Sequence, residues 1–329
     1  MTRVTVGGRI HVGFQNLSLA QERLYGGVGV ALAEPRLDLR AERADAVECD
    51  DDAATPYVER VVDYLDVPGA SVRVDERLPR HAGLGSGTQL ALASLVAVAG
   101  AYGVDVAPRA AAPALGRGGR SGVGVATFER GGFVVDGGHP TERFTTAPPA
   151  EGEWTVPPVV ARHDLPEAWR FVLAIPDVGP GRSGDEEDES MRSVVERADP
   201  GIAEEIARLV TQRLLPAAAT GDRSAFGGAV ARLGRLNGAW YADEQGGVYR
   251  PPAGALIDRL ADVPAVAGAG QSSWGPTVYA LTGADYADDV ADAAREALDD
   301  VADGGRVTVA RPRNEGARVE AEPSDAGAE

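Results

Sequence analysis

The sequence feature that most constrains the fold is a glycine-rich loop that leads directly into an apolar helix. Residues 83–89, Gly-Leu-Gly-Ser-Gly-Thr-Gln, precede an alanine-rich run that ends at Tyr102. Glycines let the backbone approach an anion closely, and the first N–H groups of a helix point toward it. The spacing differs from the Walker and dinucleotide-binding patterns. We therefore predict a phosphate-binding loop made of Gly83, Leu84, Gly85, Ser86, Gly87, Thr88 and Gln89; a purely structural loop is the alternative.

The charge balance narrows the classes of partner. Against 50 acidic residues stand 32 basic ones, all of them arginine, which gives a formal charge of −18. A field of this sign repels nucleic acid and anionic membranes, so we expect neither as a partner. The same composition suits concentrated salt, where the Debye length shrinks to about 3 Å at 1 M; codon bias in a GC-rich genome is the alternative. The N-terminus lacks a signal-peptide pattern, and we expect a cytoplasmic protein.

The absence of lysine removes several chemistries. A Walker lysine, a Schiff base and attachment of pyridoxal phosphate are excluded. The single cysteine, Cys49, excludes an intrachain disulfide and a multi-cysteine zinc site. Phosphate must then be held by arginine, backbone N–H groups and Mg²⁺, which is the cofactor that we expect.

Hydrophobic periodicity places the loop in an α+β chain. A helix is predicted over 55–66 and a strand over 70–76, ahead of the buried helix over 89–102. Residues 126–128 and 132–135 predict a hairpin around Glu129-Arg130-Gly131. Further elements are predicted in the second half, namely helices over 201–218, 222–241 and 285–302 and strands over 169–175, 277–281 and 306–309.

Other segments carry groups that suit an anionic or planar ligand. Arg117 and Arg120 lie among glycines and offer bidentate forks, with solvated surface arginines as the alternative. Trp274 lies among amide and hydroxyl groups and suits stacking on a ring, with a core tryptophan as the alternative. His11 and His81 lie near Arg9 and the loop, and both structural and catalytic interpretations stay open for them.

These segments together resemble a known enzyme superfamily. Residues 79–93 are similar to the phosphate loop of the GHMP kinase superfamily, named for galacto-, homoserine, mevalonate and phosphomevalonate kinases. Residues 120–138 and 268–281 fall where that superfamily has its later conserved regions. Within it, the resemblance is to the β-ribofuranosylaminobenzene 5′-phosphate synthase family, in a haloarchaeal-type form. Four segments carry that resemblance: residues 81–89, 116–125, 133–138 and 270–276.

The resemblance implies a two-domain, GHMP-kinase-like α+β fold. Residues 1–160 are expected to form a ribosomal protein S5 domain 2-like domain that carries the phosphate-binding loop. Residues 161–311 are expected to form a ferredoxin-like domain, with the site between the two. Residues 312–329, rich in Glu, Ala and Gly, are predicted to be a disordered acidic tail. A monomer and a homodimer both stay open.

The resemblance also implies a pentosyltransferase reaction in methanopterin-type pterin biosynthesis. Phosphoribosyl pyrophosphate and 4-aminobenzoate, or 4-hydroxybenzoate, give a C-riboside phosphate with loss of carbon dioxide and pyrophosphate. Residue chemistry assigns the roles as hypotheses. Catalysis is assigned to Arg9, His11, His81 and Arg120, of which Arg9 or a histidine anchors the aromatic carboxylate. Phosphate contacts are assigned to the loop with Arg117, Ser121 and Gly122. Contacts to the rest of the substrates are assigned to Tyr25, Gly26, Gly27, Gln271, Ser272, Ser273 and Trp274. Asp136 is considered as a metal ligand.

One departure separates the chain from the kinases of the superfamily. Many of them carry an aspartate in a Ser-Gly-x-Asp context, whereas the corresponding residues here are Ser121-Gly122-Val123-Gly124. Without that base and without lysine, phosphoryl transfer is disfavoured. Two alternatives to the transferase remain: an ATP-dependent small-molecule kinase and a non-catalytic phosphate-metabolite-binding protein.

Overall fold

The computed structural model describes residues 1–144, 153–179 and 185–321, with only the backbone of 185–188. The strands are β1 (Thr2–Asn16), β2 (Arg23–Arg43), β3 (Val47–Cys49), β4 (Ala70–Glu76), β5 (Phe133–Asp136), β6 (His139–Pro140), β7 (Val159–His163), β8 (Trp169–Pro176), β9 (Gly268–Gln271), β10 (Val278–Gly283), β11 (Gly305–Ala310) and β12 (Arg318–Ala321). The helices are α1 (Thr55–Leu65), α2 (Ser86–Tyr102), α3 (Pro108–Ala111), α4 (Val123–Arg130), α5 (Asp185–Arg197), α6 (Pro200–Leu209), α7 (Leu215–Thr220), α8 (Arg223–Gln245), α9 (Ala253–Ala261) and α10 (Ala287–Val301).

The first domain is an eight-stranded sheet built on the long antiparallel pair β1 and β2. One end of β2 pairs with β4 and the other with β5, so the sheet branches along a single strand. The β1–β2 register shifts between His11 and Gly13. Such a bulge re-aims side chains, and it lies where the candidate site forms.

Helix α2 lies inside the first domain rather than on its surface. Ala91, Leu92, Leu95 and Val98 are fully buried. A helix that is apolar on all sides must be covered on all sides, and α2 packs against β1, β2, α1 and α4. The predicted buried helix is confirmed, and it begins at Ser86 inside the glycine-rich loop.

The second domain has the strand order β11-β8-β10-β9, with every neighbour antiparallel. In chain order this is 4-1-3-2 with a helix between the third and fourth strands, which is the ferredoxin-like arrangement. Helices α9 and α10 cover one face of the sheet, and Leu256, Leu260 and Val290 are buried between them and it. The predicted two-domain α+β fold is confirmed.

The predicted hairpin over 126–135 is wrong in its first half. Residues 123–130 form α4, and only Phe133–Asp136 forms a strand, β5. Val123, Val125 and Phe128 are buried, and α4 packs on α2. Burial of these side chains outweighs the strand preference of valine and phenylalanine.

The predicted disordered tail is also wrong for residues 312–321. Residues 318–321 form β12, which pairs with the start of β1 from Thr2 to Thr5. Pro312 bridges to Leu32, and the N–H of Arg313 bonds to the carbonyl of Ala31. The chain therefore returns to the first domain after the second is complete. Residues 322–329 lie outside the described residues.

The two domains share a hydrophobic core. Ile10, Phe14 and Phe133 of the first domain belong to one buried cluster with Trp169 and Phe226 of the second. Asn237 on α8 fastens the β1 bulge, because its side chain accepts from the N–H of Phe14 at 2.7 Å and donates to the same residue's carbonyl at 2.9 Å. No helix in the described residues is long and apolar enough to cross a membrane.

Candidate active site

The glycine-rich loop ends in the N-terminus of α2, as predicted. Gly83 and Gly85 have φ of 84° and 80°, a backbone region that favours glycine. Gly85 caps the helix, and the first turn contains no acidic residue. Because the first N–H groups of a helix lack intrahelical acceptors and carry the positive end of its dipole, this turn suits an anion.

The loop is fastened by both domains. The carbonyl of Gly83 accepts from Arg9 Nη1 at 2.6 Å and from Ser272 Oγ at 2.7 Å. Thr277 Oγ1 donates to the carbonyl of Ala82 at 2.6 Å. The predicted contributors Arg9 and Ser272 are thus brought to the loop. Arg9 and Ser272 bond to the backbone of the loop, so they fix the conformation of the loop.

Arginine side chains surround the start of α2. The Arg117 guanidinium lies 4.9 Å from the ring centre of Tyr57 and donates to the tyrosine oxygen. A Cβ at Gly87 would lie 3.3 Å from Arg117 Nη1, so this cation adjoins the first helical turn. Its Nε is buried without a hydrogen-bond partner among the described residues. Burial raises the pKa of Tyr25, and the nearby Arg120 guanidinium opposes that rise.

Next to the loop, His11, Ser121 and Asp136 form a chain of hydrogen bonds, in which His11 and Asp136 are buried and Ser121 is half-buried. His11 Nε2 lies 3.2 Å from Ser121 Oγ, which lies 3.1 Å from Asp136 Oδ2. Asp136 also accepts from the N–H of Gly122 at 2.7 Å and of Gly138 at 3.0 Å. Asp136 is fully buried and His11 is 5% exposed. Strands β1 and β5 and the turn before α4 meet here.

Burial and hydrogen bonding shape the charge states of His11 and Asp136. Burial, with a contribution from Arg9, lowers the pKa of His11 to about 3, so the ring is neutral and cannot pair electrostatically with a carboxylate. Burial raises the pKa of Asp136, and its backbone N–H and Ser121 partners oppose that rise. Because those donors surround the carboxylate, Asp136 holds the turn at Ser121 and Gly122.

The buried neutral His11 predicts a pH-dependent stability. Because the pKa of His11 is lower in the folded chain, the unfolded chain takes up the proton at a higher pH than the folded chain does. The free energy of unfolding therefore keeps its full value above the ordinary histidine pKa of 6.5 and falls as the pH drops toward about 3. The slope approaches about 1.4 kcal/mol per pH unit for one proton. Denaturant titrations should show that His11→Gln loses this slope below about pH 6, whereas His163→Gln on β7 keeps it. Equal slopes in wild type and His11→Gln would contradict the prediction.

Gly26 and Gly27 have a different role from the predicted one. A Cβ at Gly27 would lie 2.1 Å from Ser121 Oγ and 2.8 Å from Asp136 Oδ2. Glycine is needed there so that the hydrogen-bonded chain can lie against β2. At Gly26, with φ of 79°, a Cβ would collide with Gln15, whose side chain donates to the carbonyl of Asp136. Both glycines therefore make room for protein groups.

A narrow cavity lined by aromatic rings lies beside His11, between β1, α8 and the turn after β9. Trp274 lines it and lies 4.6 Å from Tyr241, measured between ring centres. Its volume is about 40 Å³, whereas a cavity of about 150 Å³ holds benzene. An aromatic ligand therefore requires the cavity to widen. The lining also includes Phe14, Asn237, Tyr249, Gln271 and Ser273.

Of the remaining predicted residues, Gln271 and Gln89 hydrogen-bond to the backbone of the protein, and His81 is exposed to solvent. Gln271 Nε2 donates to the carbonyls of Ser273 and Gly275 and so shapes the turn before β10. Gln89 is fully buried and donates to the carbonyl of Gly124, which assigns it to helix packing and corrects its predicted phosphate contact. His81 is exposed, with φ of 53°. Its role stays a prediction.

The chain is similar to known proteins in both sequence and fold. The family GHMP kinases N terminal domain matches residues 54–132, and the family GHMP kinases C terminal matches residues 214–300. A β-ribofuranosylphenol 5′-phosphate synthase of Methanothermobacter thermautotrophicus is 34% identical, over 85% of this chain and 88% of the relative. The enzyme of that name from Archaeoglobus fulgidus is 33% identical, over 97% of this chain and 100% of the relative.

The chain belongs to the β-ribofuranosylphenol 5′-phosphate synthase family. The predicted family is confirmed, and the names of these relatives specify a phenol where the resemblance gave an aminobenzene. Similar solved structures include mevalonate kinase from L. major in complex with R-mevalonate, with a TM-score of 0.68, 13% identity and coverage of 95% of this chain and 96% of that one. Mevalonate kinase of Methanococcus jannaschii has a TM-score of 0.65 and 12% identity, over 95% of this chain and 98% of that one. At such identity the likeness shows the fold alone.

Several site residues of this family member gave no recognisable signal in the sequence. Tyr57 contacts Arg117 from α1, and Trp154 Nε1 donates to the carbonyl of Arg117 at 3.1 Å. Tyr241 and Asn237 come from the middle of α8, whose alanines and glycines suggest only a helix. Each becomes recognisable only when distant segments are brought together.

Proposed function

We propose that the protein transfers the phosphoribosyl group of phosphoribosyl pyrophosphate to 4-hydroxybenzoate, with loss of carbon dioxide and pyrophosphate, in methanopterin-type pterin biosynthesis. One observation carries the proposal: the anion-binding loop and the aromatic cavity adjoin each other. Ser272 bonds to the loop at Gly83, and the next two residues, Ser273 and Trp274, line the cavity. A phosphorylated donor at the loop and an aromatic acceptor in the widened cavity would therefore lie side by side.

The anion-binding side supplies what loss of pyrophosphate requires. The N-terminus of α2 offers N–H groups, and Arg117 places a guanidinium next to Gly87. Fixed donors and cations stabilise the charge that develops on a departing phosphate without reorganising during the step. Arg9 and Arg120 add positive charge around the loop and Tyr25.

The names of the relatives favour a hydroxy acid as the acceptor. The relatives' names specify a ribosylated phenol, and 4-hydroxybenzoate leaves a phenol after decarboxylation. The cavity is lined by Phe14, Tyr241 and Trp274, and aromatic rings stack well on a benzoate. 4-Aminobenzoate has the same shape and is the second acceptor to test.

The chemistry follows from bringing the two sides together. As the bond from ribose C1 to pyrophosphate breaks, C1 gains oxocarbenium character. The ring carbon that bears the carboxylate lies para to the hydroxyl and is therefore electron-rich, and it forms the new carbon–carbon bond. Loss of carbon dioxide from that carbon returns the electron pair to the ring and restores aromaticity. Positioning and charge stabilisation can supply most of the acceleration.

Magnesium is proposed as part of the substrate complex. The described residues contain no group of three or more His, Cys, Asp or Glu side chains that could hold a metal ion. Asp136 is enclosed by its own donors. Since Mg²⁺ commonly binds through substrate phosphates and only one or two protein carboxylates, we propose that the diphosphate supplies most of its oxygen ligands.

A stoichiometry measurement tests the proposal. Purified protein in molar potassium chloride is given phosphoribosyl pyrophosphate, MgCl₂ and carboxyl-labelled 4-hydroxybenzoate or 4-aminobenzoate. We expect labelled carbon dioxide and pyrophosphate in equal amounts, with faster release from the hydroxy acid. No release from either acid by folded protein would overturn the proposal. ATP consumption that depends on a small alcohol would then favour a kinase, and ligand binding without turnover a sensor.

A further inference from the structure

The protons of the buried chain can be assigned by counting donors and acceptors around Asp136. Its oxygens accept from the N–H of Gly122 and of Gly138, and they lie within reach of the Gly27 N–H. Ser121 Oγ lies 3.1 Å from Oδ2. Burial raises the pKa of Asp136, but the backbone groups around it can only donate. The donor geometry therefore favours the ionised carboxylate, which accepts from all of them.

Ser121 then determines the state of His11. A serine hydroxyl has one proton to donate, and here the ionised Asp136 receives it. Ser121 Oγ must therefore act as the acceptor toward its other neighbours. One of these is the N–H of Val123 at 3.2 Å, and the other is His11 Nε2 at 3.2 Å. For that contact to be a hydrogen bond, Nε2 must carry the proton.

We infer that His11 is held as the neutral Nε2–H tautomer and that its Nδ1 lone pair accepts the hydrogen bond of the acceptor's para-hydroxyl group. The second half of this inference rests on the proposed function. Within the described residues no group donates to Nδ1, and His11 lines the aromatic cavity. The hydrogen bond made by one ring nitrogen of a histidine commonly determines the protonation state of the other, which faces the substrate.

This assignment orients the acceptor. A lone pair at Nδ1 attracts a hydroxyl and repels a carboxylate, so the hydroxyl end lies at His11 and the carboxylate end points away. That orientation leaves the carboxylate-bearing carbon free to approach ribose C1 at the loop. A burial-lowered pKa agrees with a ring that remains neutral in the resting enzyme.

The same contact gives His11 a role during the reaction. When the ring carbon attacks ribose C1, the hydroxyl oxygen becomes strongly acidic and its proton moves to Nδ1, leaving a dienone that still carries the carboxylate. When the bond to carbon dioxide breaks, its electron pair re-forms the aromatic ring as a phenolate. The proton then returns from Nδ1 to oxygen, so His11 ends the cycle unchanged. An alkyl ether at the para position has no proton to give.

Nitrogen-15 NMR of histidine-labelled protein tests the tautomer without any substrate. The His11 signals, assigned by their loss in His11→Gln, should show a protonated Nε2 and a bare Nδ1. Ser121→Ala removes the acceptor at Nε2 and should produce a mixture of tautomers. A protonated Nδ1 in the folded wild type would overturn the inference. His163→Gln is the matched control and should leave the His11 signals in place.

Acceptor binding tests the contact itself, again without turnover. Calorimetric titration with 4-hydroxybenzoate and 4-methoxybenzoate should show about tenfold tighter binding of the hydroxy acid, as expected for one buried hydrogen bond. His11→Gln should bind the two acids with more similar affinity, while His163→Gln keeps the tenfold difference. Equal affinities in the wild type would overturn the contact. If His11 carries its proton on Nε2 and the hydroxy acid binds more tightly, but no carbon dioxide is released, only the proposed reaction fails. If carbon dioxide is released but the His11 proton lies on Nδ1, only the inference about His11 fails.

Discussion

Replacing Gly83 by alanine is expected to lower kcat/KM for the transfer reaction by about 10²-fold, since a displacement of about 1 Å in a substrate-positioning loop costs that much. A Cβ at residue 83 would lie 2.2 Å from the carbonyl oxygen of Ser272 and 3.1 Å from the Cα of Gly275. Both neighbours are backbone atoms, so neither can rotate away. The loop must move, and with it the N-terminus of α2 that receives the phosphate.

A matched control separates this collision from backbone strain. Gly103 has φ of 69°, close to the 84° of Gly83, but a Cβ there would meet nothing within 4 Å. Gly103→Ala should therefore cost about 1 kcal/mol of stability for its left-handed backbone and leave kcat/KM unchanged. Steady-state kinetics and denaturant titrations on both variants make the comparison. A normal kcat/KM in folded Gly83→Ala would show that the loop does not position the substrate.

The loop could be predicted from the sequence because its determinants are local. Glycines at 83, 85 and 87 set the backbone, and the apolar run after Thr88 sets the helix. The order of the four matching segments then indicated the family and its fold. In such cases neighbouring residues dictate the structure, so no knowledge of distant contacts is needed.

The buried hydrogen-bonded chain could not be predicted, because it depends on strand pairing. His11 and Ser121 are separated by 110 residues along the sequence. They meet because β1 and β5 both pair with β2, and because Gly27 on β2 has no side chain to keep Ser121 away. No local pattern distinguishes Asp136 from the other aspartates of this acidic chain. The sequence therefore could not show that Asp136 supports the turn before α4.

The two incorrect predictions about local structure also have tertiary causes. The segment before residue 321 contains few apolar residues, yet β12 forms because the edge of β1 offers backbone partners from Thr2 to Thr5. Helix α4 forms although its valines favour strands, because it packs on α2. Composition predicts secondary structure poorly where a short segment is stabilised by a strand edge or a helix face from another part of the chain.

Asp136→Asn is expected to show the second large effect, on stability and turnover together. The amide replaces one acceptor oxygen by an NH₂ group that faces N–H donors at Gly122 or Gly138. A buried donor left without an acceptor, in a site built for a charge, costs about 3 kcal/mol. The turn before α4 should loosen, and Ser121 loses the group that orients its hydroxyl. Denaturant titration in molar salt measures the first effect.

The effect on turnover should exceed what partial unfolding explains. In this variant Ser121 no longer fixes the proton on His11 Nε2, so part of the folded protein carries the other tautomer. We therefore expect kcat per folded molecule to fall by about 10²-fold. Exchanging an orienting carboxylate for its amide can lower kcat by more than this. Asp38→Asn is the control. Asp38 is 2% exposed and bonded to Arg3 at 2.8 Å through both oxygens, outside the site. It should lose stability and keep its kcat. If Asp136→Asn behaves in the same way, the carboxylate supports the fold alone and His11 is oriented by another group.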